Sequence, residues 1–316
     1  MRGTPMEQQR TSPPGCVFVI GMHRSGTSAT AAVLDELGLE SPSADELVPP
    51  TRTNQRGHFE AKTLVRLNDR LLTTVGGTWS APPPLVPGWE RADSLDELRA
   101  EASASFDAVF PHRPAAWKDP RNCIVLPFWQ SVLGPGTAAV LVYRDPIEVA
   151  RSLQARNQFS LTEGLALWER YVRSACANLN GLPTLCCDFQ SLLDHPRKWC
   201  EEAVAFLALV GIAVDTAPLD QAADSVDGSL RHQHKATEGA HGLGSSQRRI
   251  LEILRSMDGP HHAWPSPDLG LEPDWVGDVL AMRLDLDMLG RAHRSLTTSR
   301  AYRLATAVGR LRGRES

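Results

Sequence analysis

Several features are missing from this sequence, and each absence excludes a class of protein. The 316 residues carry a net charge of −4, so the basic excess typical of nucleic-acid-binding proteins is lacking. There is no C-x-x-C pair, and the cysteines are not regularly spaced. They are therefore predicted to be buried, reduced thiols in a cytoplasmic protein. These cysteines are Cys16, Cys123, Cys176, Cys186, Cys187 and Cys200. No internal repeat is present either.

Long apolar runs are also scarce. After the polar stretch 1–15, the run Cys16–Ile20 is too short for a signal-peptide core. The uncharged stretch Asn122–Tyr143 is long enough to span a bilayer. Pro127 and the break Gly134–Gly136 divide it into two shorter elements. We therefore predict a helix end, a turn and a buried strand there, and no transmembrane segment.

The apolar pattern alternates between strands and helices. Cys16–Ile20 has the form of a buried parallel strand, and helical spacing from Ser28 ends at Gly38. A second strand, 138–143, precedes Asp145 as helix N-cap and Pro146 as first helical residue. A further helix, strand and helix are predicted at 165–175, 184–189 and 196–210. This alternation predicts an α/β fold of three layers, with a mostly parallel central sheet flanked by helices.

The domain organisation follows from composition. We predict a disordered tail over residues 1–15, one domain over 16–285 and an arginine-rich C-terminal helix or tail over 286–316. The stretch Trp79–Trp89 contains four prolines, Pro82–Pro84 and Pro87, and is predicted to be a stiff loop.

The first motif, Gly21–Ser28, reads G-M-H-R-S-G-T-S between the first strand and the first helix. Such a loop turns backbone N–H groups and the positive end of a helix toward one point, which favours phosphate or sulfate. Gly26 allows close approach of the backbone, and hydroxyl and guanidinium donors surround it. The candidate binding residues are His23, Arg24, Ser25, Gly26, Thr27 and Ser28.

The loop departs from the P-loop of nucleoside triphosphatases, G-x-x-x-x-G-K-[ST]. Thr27 stands where that motif has its lysine, and the cation has moved to Arg24. Because the lysine bridges the β- and γ-phosphates, its absence argues against ordinary ATP or GTP hydrolysis.

The second motif is Arg144-Asp145-Pro146, with Ser152 eight residues after the arginine. Arg144 leaves the carboxyl end of a predicted strand, where ligands bind in open α/β sheets. A guanidinium and a hydroxyl together suit a phosphate group. The alternative is that Arg144 only forms an ion pair with Glu148, one helical turn away.

Together these motifs resemble those of the sulfotransferases that use 3′-phosphoadenosine-5′-phosphosulfate (PAPS), whose loop reads [KR]-S-G-T-[ST]. The resemblance implies a P-loop-type fold. It also implies that Arg24–Ser28 surround the 5′-phosphosulfate and that Arg144 and Ser152 hold the 3′-phosphate. No metal cofactor is implied. A bacterial branch of the family also carries W-K-D-P-R, here Trp117–Arg121.

Within Trp117–Arg121, Lys118 is the stronger candidate for a catalytic residue that contacts the sulfuryl oxygens. Asp119 is expected to orient Lys118 or Arg24. The alternative is a buried ion-pair network that holds the start of a helix at Pro120.

Sulfuryl transfer to a hydroxyl group needs an acceptor for the proton. The stretch 54–60 offers Glu60 as first candidate for this base and His58 as second. If the segment is extended, the two side chains lie on the same face. The alternative for Glu60 is a helix cap.

Two other functions compete with sulfuryl transfer: a P-loop nucleotide kinase, and a non-catalytic nucleotide-binding protein. We expect the acceptor to be a small molecule, glycan or lipid, with Trp79 and Trp89 as candidates for an apolar or sugar-stacking wall. The basic stretch Arg231–Lys235 is read as solvated. The arginine-rich C-terminus offers a peripheral membrane contact.

Overall fold

The computed structural model describes residues 15–49, 58–215, 219–226 and 243–298. Four predicted segments lie wholly or partly outside these ranges. They are residues 1–14 of the predicted tail 1–15, the stretch 54–57, most of 224–244 with Arg231–Lys235, and the end of the chain after residue 298.

Five strands form one sheet. The strands are β1 (Cys16–Ile20), β2 (Ala115–Lys118), β3 (Thr137–Tyr143), β4 (Thr184–Asp188) and β5 (Gly259–His261). Their order across the sheet is β2-β1-β3-β4-β5, with β5 antiparallel to β4 and the other neighbours parallel. The predicted strands at 16–20, 138–143 and 184–189 are confirmed to within a residue or two.

Helices connect the strands. The described helices are α1 (Thr27–Glu36), α2 (Lys62–Thr74), α3 (Asp96–Val109), α4 (Asn122–Leu133), α5 (Pro146–Asn157), α6 (Leu161–Asn178), α7 (Phe189–Asp194), α8 (Pro196–Leu209), α9 (Leu219–Asp224), α10 (Ser245–Ser256) and α11 (Asp274–Thr298). Two short 3₁₀ turns, Trp89–Arg91 and Asp93–Leu95, precede α3. The predicted domain boundary between residues 285 and 286 falls inside α11.

Both faces of the sheet are covered, as the uninterrupted apolar strands predict. In β1, Phe18 and Ile20 pack against the side of α2–α6, whereas Val17 and Val19 pack against α1 and α8. Cys186 and Cys187 also lie on opposite faces, and the six cysteines are buried free thiols. The result is the predicted three-layer α/β architecture.

The uncharged stretch from Asn122 resolves into helix α4, a turn and buried strand β3. No helix among the described ranges combines the length and the hydropathy that crossing a bilayer requires.

The order of the strands indicates where a ligand-binding crevice lies. In the sheet, β1 lies between β2 and β3. The chain runs from β1 to β2 on one side and then crosses to β3 on the other, so the gap between β1 and β3 is a topological switch point. Open α/β sheets bind ligands outside the carboxyl ends of strands at such a point. The residues that follow β1 and β3 are Gly21–Ser28 and Arg144, which are the two motifs identified in the sequence.

Candidate active site

The loop after β1 has a backbone conformation that few residue types adopt without strain. Arg24 and Gly26 both have positive φ, 72° and 93°. A Cβ on Gly26 would lie 1.9 Å from Cδ2 of Phe189, so this glycine is required by both conformation and space. The Gly26 carbonyl accepts hydrogen bonds from the N–H groups of Ala29 and Thr30. Thr27 and Ser28 are the first two residues of α1, and the N–H groups of a first helical turn have no partner within the helix.

The two sequence motifs meet at the switch point. Arg24 Nε donates to Ser152 Oγ at 2.8 Å, and Arg144 Nη1 donates to the Arg24 carbonyl at 3.3 Å. Residues 128 and 120 positions apart in the chain are therefore joined directly. The helix N-cap predicted at Asp145 is present: its carboxylate accepts from Ile147 and Glu148 N–H and begins α5, the helix that carries Ser152.

Arg144 is fixed on several sides. Its Nε donates to Glu148 at 2.7 Å, so the ion pair considered from the sequence is present. Its guanidinium lies over the ring of Phe189, 5.3 Å from the centroid, and its carbonyl accepts from Trp168 Nε1. Its Nη2 is nevertheless buried without a hydrogen-bond partner among the described residues. The ion pair thus uses one part of the guanidinium and leaves another available for an anion.

Two other buried polar atoms at the loop share this property. Ser25 Oγ and His23 Nε2 are buried without a hydrogen-bond partner in the described part of the chain. A buried polar group without a partner is costly, and such groups are commonly explained by a ligand. The residues present therefore fit an anion with several acceptor oxygens.

The charges at this point also favour an anion. Burial, together with the nearby positive charges of Arg156 and Arg144, lowers the pKa of Arg24 to about 10. Arg24 still carries its charge at neutral pH, in a group of like charges. Such a concentration of cations is stabilised by a bound anion.

Beside the loop lies a buried ion pair. Lys118 Nζ, at the carboxyl end of β2, donates to Glu60 Oε1 at 2.5 Å, and the side chains are 3% and 12% exposed. Burial raises the pKa of Glu60, but the Lys118 ammonium and other nearby cations outweigh it and lower the pKa to about 2. The Glu60 carboxylate is therefore ionised at neutral pH.

Glu60 is not a helix cap, because Ala61 occupies the N-cap position of α2 and the carboxylate that accepts from the N–H of Thr63 in its first turn belongs to Glu46. The segment 58–60 is also not simply extended, since Phe59 has a φ of 52°. His58 is buried beside it, and its carbonyl accepts from Ser28 Oγ at 3.2 Å. Burial is the main cause that lowers the pKa of His58 to about 4, so its imidazole is neutral at pH 7.

His23 lies between aromatic rings. Its imidazole is 4.9 Å from the ring of Trp79 and 5.7 Å from that of Tyr171. Burial, followed by the positive charge of Arg121, lowers the pKa of His23 well below its usual value. Trp79 also stacks on Phe159, so one tryptophan of the predicted wall contacts the loop and the other, Trp89, lines a separate surface cleft.

Asp119 does not orient Lys118 or Arg24, contrary to the sequence-based expectation. Its carboxylate accepts from the backbone and guanidinium of Arg121 and from Asn68 Nδ2 at 2.9 Å. Asn68 Oδ1 in turn accepts from Trp129 Nε1. The buried network considered as an alternative for this segment is therefore present, next to the Lys118–Glu60 pair.

Sequence reasoning missed Phe189, Asn68 and Trp168. Phe189 directly follows β4, at the sheet edge where the other site residues lie. Because ligands bind at the carboxyl ends of strands in open α/β sheets, its position in the sequence could have identified it. Asn68 and Trp168 lie within amphipathic helices, where nothing local distinguishes them from core residues.

The model of a family described as "Sulfotransferase family" matches residues 14–210. No curated protein sequence matches this chain.

Two solved structures are similar to it. One is a sulfotransferase domain from the olefin synthase of Synechococcus PCC 7002, 17% identical, with a TM-score of 0.46, covering 79% of this chain and 98% of its own. The other is a sulfotransferase domain from the curacin biosynthetic pathway, 15% identical, with a TM-score of 0.49, covering 78% and 99%. The family match extends over the loop, the ion pair and the Arg144 segment, and the chain belongs to the sulfotransferase family.

Proposed function

We propose that this sulfotransferase takes its sulfuryl group from PAPS and transfers it to a hydroxyl or amine acceptor. The observation that carries the proposal is the direct contact of Arg24, Ser152 and Arg144 at the β1/β3 switch point. This contact joins the residues implied for the 5′-phosphosulfate to those implied for the 3′-phosphate.

The contacts support the donor-side assignment that the resemblance implies. Arg24, Ser25, Gly26, Thr27 and Ser28 form the cradle for the 5′ end, with His23 as a positioning residue held by Trp79 and Tyr171. Arg144 and Ser152 hold the 3′-phosphate. The buried Arg144 Nη2 and Ser25 Oγ supply donors that a phosphate or sulfate oxygen satisfies.

PAPS, when bound, supplies a sulfuryl group bonded to a phosphate that leaves with the nucleotide. Arg24, Lys118 and the N–H groups at the start of α1 stabilise negative charge on the oxygens around the transferred group. Glu60, which is ionised, takes the proton of the acceptor, with His58 as the alternative base. Lys118 forms an ion pair with Glu60 and also contacts the sulfuryl oxygens, and both roles depend on its buried position next to the loop.

The experiment is a turnover assay with PAPS and separate glycoside, lipid and phenol acceptors, in which release of 3′-phosphoadenosine-5′-phosphate is measured. Acceptor-dependent release that Glu60→Gln abolishes supports the proposal. Binding of PAPS without consumption in any acceptor class supports a non-catalytic nucleotide-binding protein, and Mg²⁺-dependent turnover of ATP supports a kinase.

A further inference from the structure

Helix α5 brings a second cation to the candidate active site. Arg156 lies four positions after Ser152, so the two side chains share one face of the helix, one turn apart. Ser152 accepts from Arg24 Nε, so this face is directed at the loop after β1. Just after the end of α5, Phe159 stacks on Trp79, whose ring contacts the same loop. Arg156 therefore lies between two contacts that α5 and its end make with the site.

The charge of Arg156 acts on the groups of the site. After burial, it is the largest cause that lowers the pKa of Arg24. Burial is also the main cause that lowers the pKa of His58, and the charge of Arg156 contributes more to this than that of Arg24 does. Since His58 is one of the two candidate bases, the Arg156 guanidinium lies toward the side of the site where the acceptor's proton is taken.

The Arg156 side chain is exposed and forms no ion pair or hydrogen bond within the described ranges. The carboxylates on the surrounding elements are already paired with other cations. These pairs are Glu60–Lys118, Glu148–Arg144 and Glu163–Arg283. The described part of the chain therefore leaves the positive charge of Arg156 without a neutralising partner, beside a site that already concentrates cations.

We propose that Arg156 is a specificity-determining residue that binds an anionic group of the acceptor, such as a carboxylate, sulfate or phosphate. This inference rests on the proposed function, because it concerns the acceptor of the same site. The rival role is a further contact to the donor. Arg24, Ser152 and Arg144 already meet on the donor side, and Arg156 lies one turn farther along α5, toward Phe159. Its position therefore favours the acceptor.

A guanidinium at this position has a physical use. The donor is a polyanion, so an acceptor with its own negative charge is repelled as it approaches the transferred group. The planar guanidinium of Arg156 matches carboxylate, sulfate and phosphate oxygens and offsets this repulsion. Because the side chain is exposed, we expect a moderate preference for anionic acceptors that weakens as salt rises.

The test compares two phenols that differ in charge, 3-(4-hydroxyphenyl)propionate and the corresponding uncharged amide. Their affinities for the full-length protein are measured by ligand-observed NMR titration, with and without 3′-phosphoadenosine-5′-phosphate. We expect the wild type to bind the carboxylate about three- to tenfold more tightly than the amide. Arg156→Gln should reduce this preference to less than about twofold, because the charge that distinguishes the two phenols is removed.

Arg151→Gln is the matched control. It removes the same charge from another exposed arginine of α5, about 140° around the helix from Arg156. It should keep the carboxylate preference of the wild type. Melting temperatures of the three proteins are compared first, so that a general loss of structure is recognised.

Three results overturn the proposal: equal affinities of the wild type for the two phenols, no detectable binding of the carboxylate, or the same loss of preference in Arg151→Gln. Weaker binding of 3′-phosphoadenosine-5′-phosphate in Arg156→Gln, with the carboxylate preference kept, assigns Arg156 to the donor instead. If the wild type does not bind the bisphosphate, PAPS is contradicted as the donor, and the titrations without nucleotide still decide the role of Arg156.

Discussion

Arg24 Nε donates to Ser152 Oγ at 2.8 Å, which joins the loop after β1 to the second turn of α5. This hydrogen bond brings together two motifs that the sequence separates by more than a hundred positions. The Arg24 carbonyl also accepts from Arg144, so the loop is held from its backbone and its side chain. The site that results contains donors that an anionic ligand can satisfy.

Arg144 is expected to discriminate for the 3′-phosphate. Arg144→Ala should weaken the binding of 3′-phosphoadenosine-5′-phosphate about 10- to 100-fold, because a charge-assisted contact is lost. Binding of adenosine 5′-phosphate should change little, and calorimetric titration measures both. Arg248→Ala, an exposed arginine on α10, is the control. An equal loss for both nucleotides would mean that Arg144 has only a structural role.

Gly26→Ala should abolish nucleotide binding and lower stability by about 3 kcal/mol or more, since the new Cβ overlaps Phe189 and the backbone is left-handed. Gly38 offers a close control, because it has the same φ of 93° but open space around its Cβ position. Gly38→Ala should lower the free energy of unfolding by only about 1 kcal/mol, the cost of a left-handed backbone conformation for alanine, and leave the affinity for the nucleotide unchanged. Chemical denaturation and calorimetry distinguish the two effects. Equal behaviour of the two variants would contradict the role of the Phe189 contact.

Glu60→Gln should reduce kcat by about 10²- to 10⁴-fold if Glu60 is the base. It should also lower the melting temperature, because the buried Lys118 ammonium loses its charged partner. His58→Gln is the comparison variant, with an expected loss of less than about tenfold. A larger loss of kcat in His58→Gln than in Glu60→Gln would assign the base to His58.

Protonation of His58 should make stability depend on pH. Burial lowers its pKa to about 4 in the folded protein, whereas an unfolded histidine titrates near about 6.5. The unfolded state therefore binds more protons between these values, so His58 reduces stability as pH falls through this window. Asp258 acts in the opposite direction, because burial raises its pKa to about 6. The Asp258 effect is the same in the wild type and in a His58→Gln variant. The difference between the pH responses of these two proteins therefore reports on His58.

Melting temperatures at pH 7 and pH 5 measure that difference. The change from pH 7 to pH 5 should be less destabilising in His58→Gln than in the wild type. His112→Gln removes an exposed histidine and should behave as the wild type does. An identical pH response of all three proteins would contradict burial of a neutral His58.

The sequence was sufficient for the fold because its elements are strongly patterned. Cys16–Ile20 and Thr137–Tyr143 are uninterrupted apolar strands, and Asp145-Pro146 marks a helix start by capping chemistry that depends on few residues. The partners of Asp119 were predicted wrongly, because the choice between Lys118, Arg24 and Arg121 depends on how α2 packs. Asn68 lies 51 positions earlier in the chain, and no local pattern indicates that its amide reaches Asp119.

The most direct test of the central claim is calorimetric titration of the wild-type protein with 3′-phosphoadenosine-5′-phosphate in the presence of a chelator, and separately with Mg·ATP. We predict metal-independent binding of the bisphosphate with one site per chain, and weak or undetectable binding of Mg·ATP. Tight binding of Mg·ATP with no response to the bisphosphate would contradict PAPS as the donor.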